Sequence, residues 1–347
     1  MSASYQSVIW NRQKKIYDLT MAGLIVLYVI LFVTITLFVN PDVTEETLLI
    51  RTTATLAFLL LHIILVIGPL ARLNPVFLPL LYNRRHLGVT FFVVCAVHGI
   101  FSMVQFHALG NINPILSIFL SNEHYNSYSK FPFQVFGFFA LIIFFLMAIT
   151  SHDFWLHNLG ARFWKTLHMM VYVAYTLIIL HVALGILQYE TSLVFVVLVG
   201  LGMGTVITLH VIAGRREVKV DRSLSLDANH GLMKVCAIND IPENKAKVVT
   251  VGGERVAVFR YDNKIAAISN VCKHQNGPLG EGRIIDGCIT CPWHGYQYLP
   301  HNGCSPPPFT EKVPTYDVSI VGSDVWIDPV PYPAGTERKP ALVNDNS

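Results

Sequence analysis

Two short cysteine and histidine motifs in the last third of the chain have the composition of a metal site. The first is Cys272-x-His274, and the second, Cys291-x-x-His294, follows after sixteen residues. One kind of [2Fe–2S] cluster takes two thiolates on one iron and two imidazoles on the other. Each motif supplies one thiolate and one imidazole, so the repeated order predicts such a cluster with these four residues as its ligands.

Two other uses of these residues are open at this point. A zinc ion bound by two cysteines and two histidines has similar ligand chemistry, although its ligand spacing is usually different. Cys288 lies three residues before Cys291 and is a second candidate thiolate. Using it would leave His274 or His294 without a metal, which favours Cys288 as a buried strand thiol.

The motifs lie in a region of short β-rich segments separated by turn residues. The predicted strands are residues 234–238, 247–251, 255–261, 265–269, 316–321 and 325–327. Gly252-Gly253 and Asp262-Asn263 have the composition of hairpin turns. We therefore expect a small all-β domain over residues 218–330, followed by a flexible, polar tail at 331–347.

The two motifs, together with Gly303-Cys304 and the prolines at 306–308, resemble Rieske [2Fe–2S] domains over roughly residues 230–330. The resemblance implies that the downstream segments form a hairpin and a proline loop over the cluster. Rieske proteins of quinol-oxidising complexes carry two further cysteines, joined as a disulfide, at the positions of Gly277 and Trp293. The resemblance is therefore to the ferredoxin or oxygenase type.

Two tyrosines near the second motif bear on the reduction potential. Where the high-potential type has a serine that hydrogen bonds to the cluster, this chain has Tyr296, whereas Tyr298 matches that type's bonding tyrosine. Fewer hydrogen bonds to the sulfurs leave more negative charge on the cluster. We expect a potential toward the low end of the ~−150 to +300 mV Rieske range.

The composition shows that this soluble domain is only part of the protein. Of the 347 residues, 53% are hydrophobic and 14% are charged, against roughly 25% charged in ordinary soluble chains. Residues 1–217 contain 12 Lys or Arg and 8 Asp or Glu, and the shorter stretch 218–347 contains 13 and 14. A net charge of +3 gives no basic surface for nucleic acid. The sequence predicts a multidomain membrane protein.

Six runs without Asp, Glu, Lys or Arg are long enough to span a bilayer core, which takes ~20 residues. They are residues 19–41, 52–71, 86–122, 131–152, 166–189 and 191–214. The third run contains Gly110 to Pro114, so we place its helix at 87–107 and a loop after it. Residues 1–217 are thus expected to form an all-α bundle of six transmembrane helices, the first of them an anchor rather than a cleaved signal.

The basic residues predict the orientation of the bundle. They gather before helix 1, between helices 2 and 3, between helices 4 and 5, and after helix 6. These residues are Arg12, Lys14, Lys15, Arg72, Arg84, Arg85, Arg162, Lys165, Arg215, Arg216 and Lys219. Both termini are therefore expected in the cytoplasm, and the protein in the bacterial inner membrane.

Histidines are the ionisable residues that remain inside the predicted spans. They are His62, His98, His168, His181 and His210. An ionisable side chain at membrane depth is costly and indicates function. Imidazoles that face each other across a bundle are typical axial ligands of haem b, and hydrogen bonding between helices is the alternative for any one of them.

Further motifs accompany three of these histidines. They are Gly68-Pro69-Leu70-Ala71-Arg72, Arg84-Arg85-His86-Leu87-Gly88, Ala96-Val97-His98, Phe163-Trp164-Lys165-Thr166-Leu167-His168 and Leu180-His181. Over roughly residues 45–190 they resemble the ferric reductase-like transmembrane family, and most nearly its haem-binding subunit of the methionine-sulfoxide reductase system. The resemblance implies one or two b-type haems bound by His98, His168 and His181.

The spacing limits how these histidines can pair. His168 and His181 are thirteen residues apart, which is ~20 Å along a helix and ~140° around it, so they cannot serve the same haem. The partner of His98 is undecided. The family's oxidases have a second haem ligand about fourteen residues further along, where this chain has Ile112. His107 or His62 could take the place of that ligand.

The combination of the two halves suggests an electron-transfer function. No Gly-x-Gly-x-x-Gly follows a strand, so the chain lacks the nucleotide-binding signature of the ferric reductases and oxidases. We expect a separate cytoplasmic donor to reduce the cluster and haem b to pass electrons to a quinone or an extracytoplasmic protein. Electron flow in the opposite direction, from a quinol through the haem to the cluster, would use the same two cofactors. The alternative is a membrane-anchored ferredoxin or redox sensor in which the bundle is mainly a tether.

Overall fold

The structure, a computed structural model, describes residues 12–151, 155, 161–189, 193–224, 231–274, 277–293, 295–307 and 309–343. It divides into two compact units, Trp10–His210 and a second one that contains Val211–Ser347. The first is helical. In the second, the end of the last helix is followed by strands and short 3-10 turns. A helical region and a separate all-β domain are thus confirmed.

The helices of the described residues follow the charge-free runs of the sequence. They are α1 at Arg12–Val39, α2 at Glu45–Leu73, α3 at Leu78–Tyr82, α4 at Arg84–His107, α5 at Pro114–Leu120, α6 at Gln134–Ile149, α7 at Ala161–Met169, α8 at Val171–Leu184, α9 at Ile186–Tyr189 and α10 at Leu193–Leu224. A helix pairs its backbone N–H and C=O groups within the segment, as lipid requires.

Five helical segments of the described residues are long and apolar enough to cross a membrane. They are Lys15–Val39, Glu45–Leu73, Arg84–His107, Thr166–Gln188 and Phe195–Arg216. The remaining run gives α6, an apolar helix of 16 residues. Its rise is ~24 Å, which is less than the ~30 Å of a hydrocarbon core. The protein is therefore an integral membrane protein, and the part of it that the structure describes has five candidate spans of full length and one shorter apolar helix.

The order of packing connects the histidine-bearing helices α4 and α8 through α6. Helix α2 packs against α4, α4 packs against α6, and α6 packs against α8. Helix α1 contacts α2, and its apolar side chains such as Leu19 and Phe38 are exposed. Exposed apolar surface of this kind is more stable in contact with lipid tails than in contact with water.

The described residues of the β unit form eleven strands in three sheets. The strands are β1 at Met233–Ala237, β2 at Ala246–Val251, β3 at Glu254–Tyr261, β4 at Lys264–Ser269, β5 at Arg283–Ile285, β6 at Cys288–Thr290, β7 at Gln297–Tyr298, β8 at Thr315–Tyr316, β9 at Val318–Val321, β10 at Asp324–Ile327 and β11 at Ala341–Leu342. The sheets have the orders β1-β10-β9, β11-β4-β3-β2 with β8 also on β4, and β5-β6-β7. Every pairing is antiparallel.

The predicted hairpins form at the predicted turn residues. Asp262 and Asn263, between β3 and β4, have φ values of 46° and 56°, the backbone that a two-residue type I′ turn requires. Gly252 and Gly253 likewise have positive φ between β2 and β3. These tight turns fix the register of β3 on its two neighbours. The end of β4 then leads into the first cysteine and histidine motif.

The structure differs from the expected flexible tail over residues 331–343. Ala341 and Leu342 form β11 on the edge of β4, and the Thr315 carbonyl accepts a hydrogen bond from the Tyr332 N–H at 2.9 Å. Arg338 forms an ion pair with Asp317, and its guanidinium lies 4.0 Å from the ring centre of Tyr332. The expectation failed because polar composition carries no information about an open sheet edge. Residues 344–347 lie outside the described part.

Candidate redox sites

The first motif begins in the loop after β4, and the second lies between β6 and β7. Cys272 and Cys291 are 0% and 1% exposed and belong to one hydrophobic cluster. The Cys272 N–H donates to the carbonyl of Gly277 at 2.9 Å, and the Cys291 N–H donates to the carbonyl of Tyr296 at 2.7 Å. Each cysteine thus starts a tight loop that is closed on itself. The two thiols are shielded from water, as cluster thiolates require.

Tyr298 is bound to the first loop. Its hydroxyl oxygen lies 3.4 Å from Cys272 Sγ and accepts the Lys273 N–H at 3.0 Å. Burial and the neighbouring Cys272 sulfur raise the pKa of Tyr298, so the hydroxyl keeps its proton. It is therefore placed to donate a hydrogen bond to a thiolate at Cys272, as the resemblance implies.

Tyr296 has a different partner. Its ring stacks on the imidazole of His274, with 4.5 Å between ring centres and 10° between planes. Its hydroxyl donates to the carboxylate of Glu311. Burial and this hydrogen bond raise the pKa of Tyr296. The hydroxyl is occupied by Glu311, which fits the expectation of fewer hydrogen bonds to the cluster sulfurs.

Gly277 and Trp293 occupy the place where high-potential Rieske proteins carry their disulfide. A Cβ on Gly277 would lie 2.8 Å from Cys291 Sγ and 3.2 Å from the Trp293 ring. The two positions are therefore neighbours, and the indole packs against the glycine. In this structure a side chain at position 277 would crowd the Cys291 sulfur and the indole.

The other predicted residues of this site are placed as follows. Cys288 is partly buried on β6 and is a thiol rather than half of a disulfide. Among the described residues, no group of three His, Cys, Asp or Glu side chains is close enough to bind one metal ion. His294 lies outside the described residues.

In the helical unit, His98 on α4 and His181 on α8 face each other. Their ring centres are 6.5 Å apart and their planes are at 79°. The Nδ1 atom of His98 lies 3.2 Å from the carbonyl oxygen of Ile50, and that of His181 lies 3.0 Å from the carbonyl oxygen of Phe133. A carbonyl that accepts a hydrogen bond from Nδ1–H fixes the ring and leaves Nε2 for a metal.

The residues of this pair would suit a haem b, because each imidazole has its Nδ1 bound to a backbone carbonyl and its Nε2 left for a metal. Helix α6 approaches His181 at Gly137, where a Cβ would lie 2.8 Å from the imidazole. The glycine leaves the space that the ring occupies. These residues therefore fit the haem that the sequence predicts.

His168, the third predicted haem ligand, lies apart from this pair on α7. Its Nδ1 is 3.0 Å from the carbonyl oxygen of Trp164, and its ring stacks on the indole at 3.7 Å. Its Nε2 is buried and has no hydrogen-bond partner among the described residues. A buried nitrogen without a partner is costly, so this atom also suits a ligand. The structure thus pairs His98 with His181 and places His168 elsewhere.

The two possible substitutes, His62 and His107, are engaged in hydrogen bonds. His62 Nδ1 lies 2.8 Å from the Phe58 carbonyl oxygen, and its Nε2 lies 3.0 Å from the Tyr175 hydroxyl. His107 is buried, with Nδ1 at 3.0 Å from Ser117 Oγ. Both nitrogens of His62 are used, which favours the interhelical hydrogen bond over metal binding.

Sequence reasoning missed the groups that orient the predicted haem ligands. The acceptors for His98 and His181 are backbone carbonyls, which any residue provides, so no side-chain type marks them. No sequence motif pointed to Gly137 either. A glycine inside an apolar helix is a weak signal of close approach, and only the packing of α6 on α8 shows what approaches it.

Comparisons with known proteins agree with both halves. Residues 50–179 match the family model of the ferric reductase like transmembrane component, and residues 231–317 match that of the Rieske [2Fe-2S] domain. The biphenyl dioxygenase ferredoxin subunit of Pseudomonas sp. (strain KKS102) is 32% identical over 98 residues, which are 27% of this chain and 89% of that protein.

Two further likenesses concern the same part of the chain. A cholesterol 7-desaturase of Ciona intestinalis is 33% identical over 104 residues, 29% of this chain but only 22% of that longer protein. A chain in the solved complex of reduced oxygenase and oxidized ferredoxin in carbazole 1,9a-dioxygenase is 26% identical, covering 30% of this chain and 98% of that one, with a TM-score of 0.28. The protein described here is a membrane-bound oxidoreductase of electron transport that belongs to the Rieske [2Fe-2S] family through its last third and carries a ferric reductase-like transmembrane domain before it.

Proposed function

We propose that this protein passes electrons between a Rieske cluster and an intramembrane haem b. The cluster ligands are Cys272, His274, Cys291 and His294, and the haem ligands are His98 and His181. The observation that carries the proposal is the facing pair of imidazoles, 6.5 Å apart, each with its Nδ1 on a backbone carbonyl. A chain whose bundle served only as a tether would have no need of two oriented, facing imidazoles in lipid.

When bound, the two cofactors supply one-electron chemistry, and the chain's residues set where and at what potential it occurs. The Ile50 and Phe133 carbonyls orient the haem ligands by accepting hydrogen bonds from their Nδ1–H groups. Tyr298 donates a hydrogen bond to the Cys272 sulfur and so offsets part of its charge. The buried cysteines keep water from the cluster.

His168 is assigned as a further metal ligand of the bundle. Its Nδ1 is anchored on the Trp164 carbonyl, as in the pair above, and its buried Nε2 is available. The separation of thirteen positions between His168 and His181 corresponds to ~20 Å of helix. A second haem at His168 would therefore be separate from the first.

The topology proposed has six spans, with α6 as the short one and both termini in the cytoplasm. The domain boundaries are 1–217 for the haem-binding bundle and 218–330 for the Rieske domain. The basic residues beside the spans support this orientation. In the bacterial inner membrane it places the cluster in the reducing compartment, beside a separate electron donor. The acceptor is then a quinone or a protein on the far side.

Stopped-flow spectroscopy of the full-length purified protein tests the proposal. A soluble donor reduces the cluster, and the absorbance of haem b is followed in time. We expect haem reduction after cluster reduction, and its loss in the His98→Ala and His181→Ala variants. An EPR-visible Rieske cluster without a pyridine-haemochrome signal would refute the conduit and leave the anchored ferredoxin or sensor.

A further inference from the structure

We propose that Tyr296 and Glu311 form a positioning pair that fixes the His274 imidazole and lowers the reduction potential of the cluster. The inference rests on the proposed cluster ligands, because it concerns the group that His274 binds. It adds two residues that touch no metal and act through that ligand.

The first step is the contact between the two rings. Tyr296 is 7% exposed, and its ring lies nearly parallel to the imidazole of His274 at 4.5 Å. Phe309 packs against the same tyrosine, with 4.9 Å between ring centres. Because the buried tyrosine ring has little room to turn, the imidazole stacked on it is restrained as well.

The second step is the connection from Tyr296 to the proline loop at residues 305–311. The Tyr296 hydroxyl donates to Glu311 Oε2, which also accepts the Thr310 N–H at 3.1 Å. The loop is closed on itself by the Ser305 N–H, which donates to the Glu311 carbonyl at 2.9 Å. Glu311 therefore couples the proline loop to the second motif through one side-chain hydrogen bond.

The third step is electrostatic. The Glu311 carboxylate is separated from the His274 ring by a single side chain, in a partly buried setting where charges are less screened than in water. A fixed negative charge disfavours the addition of an electron nearby. The pair therefore has two effects that different substitutions can separate. The Tyr296 hydroxyl holds the tyrosine ring, and with it the His274 imidazole, in place, whereas the Glu311 carboxylate supplies a negative charge.

The test uses redox titration of the full-length protein, followed by EPR of its Rieske signal. Glu311→Gln keeps a hydrogen-bond acceptor but removes the charge, so the midpoint potential should shift upward with little change in line shape. Tyr296→Phe keeps the ring and the charge but removes the hydrogen bond, so the g values should shift and broaden. The matched control is Glu254→Gln, an exposed carboxylate on β3, which should change neither.

A Glu311→Gln midpoint equal to that of Glu254→Gln would overturn the electrostatic role. A Tyr296→Phe spectrum identical to that of the unmodified protein would overturn the positioning role. Failure of the underlying ligand assignment is distinguishable from both, because the unmodified protein would then show no Rieske signal at all.

Discussion

Replacing Gly137 by alanine tests the haem ligands through a residue that binds nothing itself. The added Cβ would lie 2.8 Å from Cε1 and Nδ1 of His181, whereas ordinary contacts are 3.4–4 Å. The ring or the helix must therefore move by at least ~0.6 Å, since close-packed interiors have no spare space. Metal–ligand distances tolerate only about 0.2 Å, and the hydrogen bond to the Phe133 carbonyl is disturbed as well. Loss of such a supporting contact lowers metal affinity by roughly 10–100-fold.

The assay is haem content per chain by pyridine haemochrome, together with the low-spin optical and EPR signals of a haem with two imidazole ligands. Gly88→Ala is the matched control, because Gly88 lies on α4 and its added Cβ would meet no atom of the described residues within 4 Å. We expect reduced haem and a changed low-spin signal in Gly137→Ala alone. Unchanged haem content and spectrum in Gly137→Ala would refute His181 as an axial ligand in this geometry.

Three further predictions concern other parts of the molecule. His62→Ala should leave the low-spin haem spectrum unchanged and cost about 1 kcal/mol of unfolding free energy, the usual worth of a hydrogen bond, as measured by thermal melting in detergent. Cys272→Ser should abolish the Rieske EPR signal while Cys288→Ser retains it, and loss of the signal in Cys288→Ser as well would show that Cys288 is a ligand. Arg338→Ala removes a partly exposed ion pair with Asp317, so the melting temperature of the Rieske domain should fall slightly, and an unchanged melting temperature would show that this pair does not stabilise the domain.

The local features of this protein were predictable because their causes are local. The order Cys-x-His and Cys-x-x-His specifies ligand chemistry within a few residues of chain, and the charge-free runs specify helices because lipid leaves no other backbone structure. The turn at Asp262 and Asn263 was predicted because only a few residue types adopt positive φ readily. The prediction of six spans is confirmed only in part, since five segments of the described residues are long enough to span a membrane and the fourth apolar run gives a helix of 16 residues.

The sequence could not identify the histidine that faces His98. Spacing along a helix gives a residue's depth and its angle around the axis, but it does not say which helices are neighbours. The packing of α4 on α6 and of α6 on α8 brings His98 to His181 and leaves His168 with Trp164. For the same reason the carbonyls of Ile50 and Phe133 became visible as acceptors only in the folded chain.

The sequence by itself thus determined which part of the chain lies in lipid and which in water, where the membrane helices are, and which residues could compose a cluster site. This was possible because hydrophobicity and ligand chemistry are properties of short stretches of chain. The tertiary structure alone decided which imidazoles face each other and that residues 331–343 return to the edge of β4. It also joined Tyr296 to Glu311 across fifteen positions of the chain. These are contacts between segments distant in sequence, and their geometry follows from the packing of whole helices and sheets.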